Sequence, residues 1–202
     1  MKSNCKGGTH VFDIRKGDCL VVVDVQNDFC PGGALGVAEG DQVVPVLNSL
    51  IKEFNDRDLP VVYTQDWHPQ DHVSFVENGG IWPPHCVQGT KGANFHPDLV
   101  VSGEICRKGF LSDREAYSGF DGRIGEPDGP ALDQWLKEKG VKRIYVGGLA
   151  TDYCVRATVL DAIQCGFEVV LLTNGIRAVD VNEGDGDKAI AEMADAGALL
   201  IK

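Results

Sequence analysis

Short apolar runs rich in Val, Ile and Leu alternate along this chain with longer stretches whose apolar positions recur every three or four residues. The runs are Cys19 to Val25 (CLVVVDV), Val61 to Thr64, Glu104 to Lys108, Arg143 to Gly147, Glu168 to Leu172 and Ala198 to Ile201. They are nearly continuous instead of alternating, which is the pattern of parallel strands covered on both faces. Between them, Val43, Val44, Leu47, Leu50, Ile51 and Phe54 share one helical stripe. Leu132, Trp135 and Leu136 make a second, Val155, Thr158, Val159, Ala162 and Ile163 a third, and Ala189, Ile190, Met193 and Ala194 a fourth. Gly140, Gly166 and Gly197 stand just past the last three, where a left-handed residue stops a helix. The alternation predicts an α/β fold, a three-layer sandwich on a mainly parallel sheet.

Two segments, residues 67–99 and 109–129, are long and irregular, and such loops in a compact domain usually serve function. The second is turn-rich and is expected to lie over a site. With no repeat and no low-complexity linker, residues 19–202 read as a single domain and residues 1–18 as an N-terminal extension of unassigned role.

Composition narrows the function classes. The 202 residues carry a net charge of −11 and no basic run, which disfavours nucleic acid or an anionic membrane as partner. No apolar stretch approaches the roughly 18 residues that span a bilayer. No secretory apolar segment opens the chain, so a cytoplasmic location is expected. Seven cysteines form no CxxC pair, and Cys19, Cys106 and Cys165 read as buried small hydrophobes.

Reactive side chains fall where the predicted strands end, the edge at which open α/β sheets bind ligands. Asp24 is a carboxylate in an apolar strand, and burial would raise its pKa and make it a better proton acceptor. Asp28, four residues on, reads instead as a loop cap. Lys108 ends the third run, either countering Asp24 or simply solvated. Cys154 follows Gly147, Gly148 and a short polar turn and opens the third helix, where a helix N-terminus stabilises a thiolate. Asp66 and His68, with His72 and His85 further on, form a mixed oxygen and nitrogen donor set suited to zinc, iron or manganese. Phe29, Trp82 and Tyr117 lie in loops around the same edge, either packing those loops or facing a planar ligand.

The segments DVQNDFCPGGALGV, TQDWHPQDHVSF, WPPHCVQGT, AYSGF and GLATDYCVRATVLDA resemble, in order, the nicotinamidase/pyrazinamidase branch of the isochorismatase-like cysteine hydrolases. The resemblance runs from about Cys19 to the C-terminus. It implies a six-stranded parallel sheet flanked by helices and a catalytic triad of Asp24, Lys108 and Cys154. It further implies an oxyanion hole from the backbone N–H groups of Ala150 and Cys154, with a cis peptide between Leu149 and Ala150. One divalent metal would be held by Asp66, His68 and His85, zinc first, with iron or manganese as alternatives and His72 as a further ligand in some members. Phe29 and Trp82 would sandwich a pyridine ring, with Tyr117 nearby. The implied reaction is hydrolysis of nicotinamide to nicotinate and ammonia, with pyrazinamide also turned over. The implied partner is a small molecule, and a homo-oligomer is compatible with it. Competing readings are another amide or vinyl-ether hydrolase of the same fold, or a non-catalytic metal or thiol sensor.

Overall fold

The computed structural model describes residues 13–202. Most of the predicted N-terminal extension, residues 1–12, lies outside the described residues. The strands are β1 (Asp18–Val23), β2 (Val61–Asp66), β3 (Glu104–Lys108), β4 (Arg123–Ile124), β5 (Arg143–Leu149), β6 (Glu168–Arg177) and β7 (Leu199–Ile201). The helices are α1 (Val43–Asn55), α2 (Leu132–Glu138), α3 (Arg156–Gln164) and α4 (Asp185–Asp195). The strands form one sheet in the order β4-β3-β2-β1-β5-β6-β7. Every neighbouring pair is parallel except β3 with β4.

The expected six strands are therefore seven among the described residues. The addition, β4, is two residues long and pairs antiparallel with Cys106 and Arg107 from inside the turn-rich 109–129 segment. A strand that short has no alternation or apolar run to announce it. β6 also outruns its expected end at Leu172. Past Leu172 the ladder shifts register between Val146 and Gly148 and resumes at Ile176 and Arg177. A glycine inside a strand often marks such a bulge. β7, expected to be covered on both faces, is the sheet edge, and Leu199 and Leu200 are exposed.

The period of two along β1 divides the core. Cys19, Val21 and Val23 pack with Leu132, Leu136, Val159, Ala162 and Met193 of α2, α3 and α4. Leu20 and Val22 pack with Val43, Leu47, Ile51 and Phe54 of α1 on the other face. Strand order reverses between β1 and β5, so the crevice beyond their carboxyl ends is the switch point at which this architecture binds ligands.

Candidate active site

Four strands end at that crevice, and each delivers a polar side chain into a dry interior. Asp24 follows β1 with a left-handed φ of 46°. The Thr64 hydroxyl on β2 donates to its Oδ1 at 2.6 Å. Its Oδ2 lies 3.0 Å from the Lys108 ammonium and has no hydrogen-bond partner of good geometry. Lys108 ends β3 and is fully buried. Its Nζ also donates to Asp66 Oδ1, to Ala116 O at 3.1 Å and to Cys154 Sγ at 3.4 Å. One ammonium thus sits among two carboxylates and a thiol, all buried.

The electrostatics follow from that crowding. Burial would discharge Lys108, but Asp24 and Asp66 outweigh it and hold its pKa well above the ordinary value. For Asp66, burial is overcome by Lys108 and then His68, so its carboxyl is held below the usual range. For Asp24, burial wins over Lys108 with help from Asp66, and its carboxyl is raised. The Cys154 thiol is pushed well up, by burial first and then by both carboxylates, against the pull of Lys108. Cys154, expected to open the third helix, sits in a π-helical turn, Thr151–Val155, ahead of α3. A thiol and a carboxylate gathered around one ammonium are arranged for proton transfer.

The chain reaches Cys154 through Gly148, whose φ of +126° and contact with the Val23 backbone leave no room for a Cβ. The Leu149–Ala150 peptide is cis, as the resemblance implies. Gly147 and Gly148 belong to β5 itself, not to a turn after it.

Beside the cluster, ligand atoms of Asp66, His68 and His85 lie within 4.8 Å of one another, all buried. His68 Nδ1 donates to Gly109 O at 2.9 Å and His85 Nδ1 to Pro83 O at 2.8 Å. Those carbonyls orient both rings with Nε2 toward the site; burial lowers the pKa of His85, while for His68 burial is outweighed by Asp66 and the pKa is raised. A carboxylate and two oriented imidazoles fit a divalent metal ion. The structure does not bring His72 into this set. Its Nε2 donates to Arg114 O at 3.0 Å, and its Nδ1 accepts from the Ser74 hydroxyl at 2.7 Å. Both nitrogens are engaged, and the ring lies tilted against His68 with centroids 4.1 Å apart.

Cys154 and the three donors share a cavity walled by Phe29, Leu35, Trp82, Tyr117, Tyr153 and Val179. The two long irregular segments supply much of this wall, the first through Trp82 and His85 and the second through Glu115 and Tyr117. The Trp82 indole donates to the Tyr117 hydroxyl at 3.0 Å, and its ring meets Tyr153 edge-on at 5.1 Å. Sequence reasoning passed over Thr64, Leu35, Glu115 and Val179 and noted Tyr153 only as the neighbour of Cys154. Thr64 carried a legible signal, a polar residue within a buried run, two positions before Asp66.

The other thiols differ from Cys154. Burial pushes Cys30 up to about 11 and Cys106 up to about 12, with no ammonium hydrogen-bonded to either. Cys165, expected inside, is exposed at the end of α3. No helix among the described residues is long and apolar enough to cross a membrane.

Comparison with known proteins agrees with this geometry. The nicotinamidase of Escherichia coli K12 is 41% identical over 198 residues, covering 90% of this chain and 92% of its own. The solved pyrazinamidase of Pyrococcus horikoshii in complex with zinc superposes with a TM-score of 0.84 at 45% identity, covering 92% of this chain and 99% of its own. The solved structure of PnC1 from L. infantum in complex with nicotinate superposes with a TM-score of 0.82 at 38% identity, covering 93% of each chain. The isochorismatase domain model matches residues 18–202, and the chain belongs to that family.

Proposed function

We propose that this protein is a nicotinamidase, an amidohydrolase that converts nicotinamide and water to nicotinate and ammonia, and that it also accepts pyrazinamide. The observation that carries the reading is the Lys108 ammonium, 3.0 Å from Asp24 and 3.4 Å from the Cys154 sulfur, beside a ring-sized aromatic cavity. Relatives named for nicotinamide and pyrazinamide hydrolysis support the substrate class.

In this reading Asp24 Oδ2 takes the Cys154 proton as the sulfur attacks the carboxamide carbon. The C–S bond forms, and the backbone N–H groups of Ala150 and Cys154 hold the resulting oxyanion. The Lys108 ammonium, 3.4 Å from the sulfur, stabilises the thiolate as the thiol ionises. Asp24 then passes its proton to the amide nitrogen, the C–N bond breaks and ammonia leaves a thioester. Asp24 next takes a proton from water, the hydroxide oxygen bonds to the acyl carbon, and the C–S bond breaks as Asp24 returns that proton to the sulfur, restoring thiol and carboxylate. Phe29 and Trp82 flank the ring, and Tyr117 holds the Trp82 indole in place. Asp66, His68 and His85 would hold a divalent ion, zinc in the first place, which when bound supplies a positive anchor for the ring nitrogen. Asp66 thereby faces two ways, one oxygen toward Lys108 and the other, 3.5 Å from His68 Nε2, toward the metal set.

Ammonia release from nicotinamide, measured with and without a chelator, tests the proposal. Turnover that depends on Cys154 and is lost on chelation is expected. Absence of ammonia from nicotinamide and pyrazinamide alike, in metal-loaded protein, would refute it.

A further inference from the structure

The loop that carries His85 is held by a side chain with no part in the chemistry above. We infer that Asp28 is a positioning residue for the metal site, acting through the backbone of Cys86. The inference rests on reading His68 and His85 as metal ligands.

Asp28 sits in the short turn Asn27–Phe29 after β1. One carboxylate oxygen accepts from Ala34 N at 3.2 Å, which a plain loop cap would do. The other accepts from Cys86 N at 2.7 Å, a bond across 58 positions to the residue next to His85. Cys86 is not a glycine, yet it holds a left-handed φ of 46°. Its carbonyl accepts from His68 N at 3.0 Å. The peptide groups of one strained residue are therefore gripped by Asp28 on the N–H side and by a metal-ligand residue on the carbonyl side.

A residue in the left-handed region persists only where its surroundings over-determine it. Here the surroundings are the carboxylate. Asp28 is itself immobilised, because its backbone N–H donates to Gly92 O at 3.1 Å and a Cβ at Gly92 would overlap the carboxylate. Its carbonyl accepts from Leu35 N at 2.9 Å, so the same residue fixes a wall of the cavity. Removing the Cys86 bond frees the turn to relax toward negative φ, which swings His85 away from His68 and Asp66.

The test is zinc affinity of the full chain, read by competition with a chelator. Asp28→Asn keeps the shape but replaces one acceptor with a donor, and zinc binding is expected to weaken by about 10- to 100-fold, as for other residues that orient metal ligands. Adding Cys86→Gly is expected to restore most of it, because glycine takes φ 46° unaided. A general loss of stability would not be repaired that way. Wild-type zinc affinity in Asp28→Asn, or no recovery in the double variant, overturns the inference while leaving the metal reading intact. A wild-type chain that binds no zinc overturns both. Should Asp28→Asn fail to fold, Cys86→Val and Cys86→Gly decide. The β-branched residue is expected to weaken zinc binding and glycine to preserve it, and equal affinities would sink the idea.

Discussion

β1 has a buried aspartate at each end, and the two are built differently. Asp18, at the start, meets the Arg143 guanidinium through two bonds of 3.0 and 2.7 Å and accepts a further bond from Arg15 N at 2.8 Å. Arg143 also stacks on Tyr145 and donates to Asp13 O. Asp24, just past the other end, has one oxygen tied to Thr64 and the other facing an ammonium shared with Asp66 and Cys154. The first pair is a planar fork matched to a planar acid, with both carboxylate oxygens occupied. The second leaves Asp24 Oδ2 without a well-aligned donor and gives one compact cation four neighbours, Asp24, Asp66, Cys154 and the Ala116 carbonyl. Saturated hydrogen bonding fixes a structure, while an under-bonded oxygen beside a thiol has capacity left for a proton.

The sharpest way to break this comparison is to remove the sulfur. Cys154→Ala is expected to lower kcat by at least about 10⁴-fold, since a nucleophile acts as a unit with its base. Zinc binding should persist, because Cys154 is outside the Asp66, His68 and His85 set. Near-normal ammonia release by this variant would show that the under-bonded cluster is not the reacting one.

Next in size is Lys108→Met. Two buried carboxylates then face each other without their cation, a loss of about 3–5 kcal/mol when a buried pair is broken this way. The pH dependence has a definite sign. Asp24 is already raised by burial, and Asp66 loses the partner that holds it low. A carboxyl raised in the fold stabilises below its unfolded pKa, and that contribution is lost as pH rises through the folded value. The Tm deficit of the variant should therefore grow from about pH 4 upward, which thermal scans across pH would show. A deficit that shrank with rising pH would contradict the charge arrangement. Arg143→Met at the other end should cost about 2–3 kcal/mol, the range for hydrogen bonds to a charged group, while kcat/KM stays within about twofold. Equal damage to activity from the two variants would erase the distinction between the ends.

How much of this was legible beforehand follows the same physics. Long-range burial imposes continuous apolar runs, so the parallel strands and the helical stripes were visible. β4 was not, because two residues carry no pattern, and the second half of β6 hid behind Thr173, Asn174 and Gly175. In the site, Asp24 and Lys108 stood out as charges in apolar runs, and the rule that ligands bind beyond strand ends grouped them with Asp66, His68 and Cys154. The upward push on the Cys154 thiol was not legible, because it comes from burial and from two carboxylates on other strands. Neither was the commitment of His72, whose nitrogens are occupied by Ser74 and by Arg114, 42 residues away. Asp28 read as a loop cap. It caps that loop through Ala34, but the bond to Cys86 joins two loops that only the fold brings together.

The smallest effect probes the asymmetry of Asp24 directly. Thr64→Val removes the hydroxyl that donates to Asp24 Oδ1 at 2.6 Å and leaves the shape of the side chain nearly unchanged. That bond favours the ionised carboxylate, as Lys108 does, against the burial that raises it. In the free enzyme Asp24 must be ionised to accept the thiol proton. The acid limb of kcat/KM should therefore lie above the ordinary aspartate value in the wild type and move to still higher pH in Thr64→Val. The plateau should fall by no more than about tenfold, the scale of one net hydrogen bond, and Thr64→Ser should return both limb and plateau toward wild type. A limb that moved to lower pH, or one that Ser failed to restore, would mean that Thr64 merely fills space beneath Asp24, and that the free oxygen opposite Cys154 is not held there by its bonded partner.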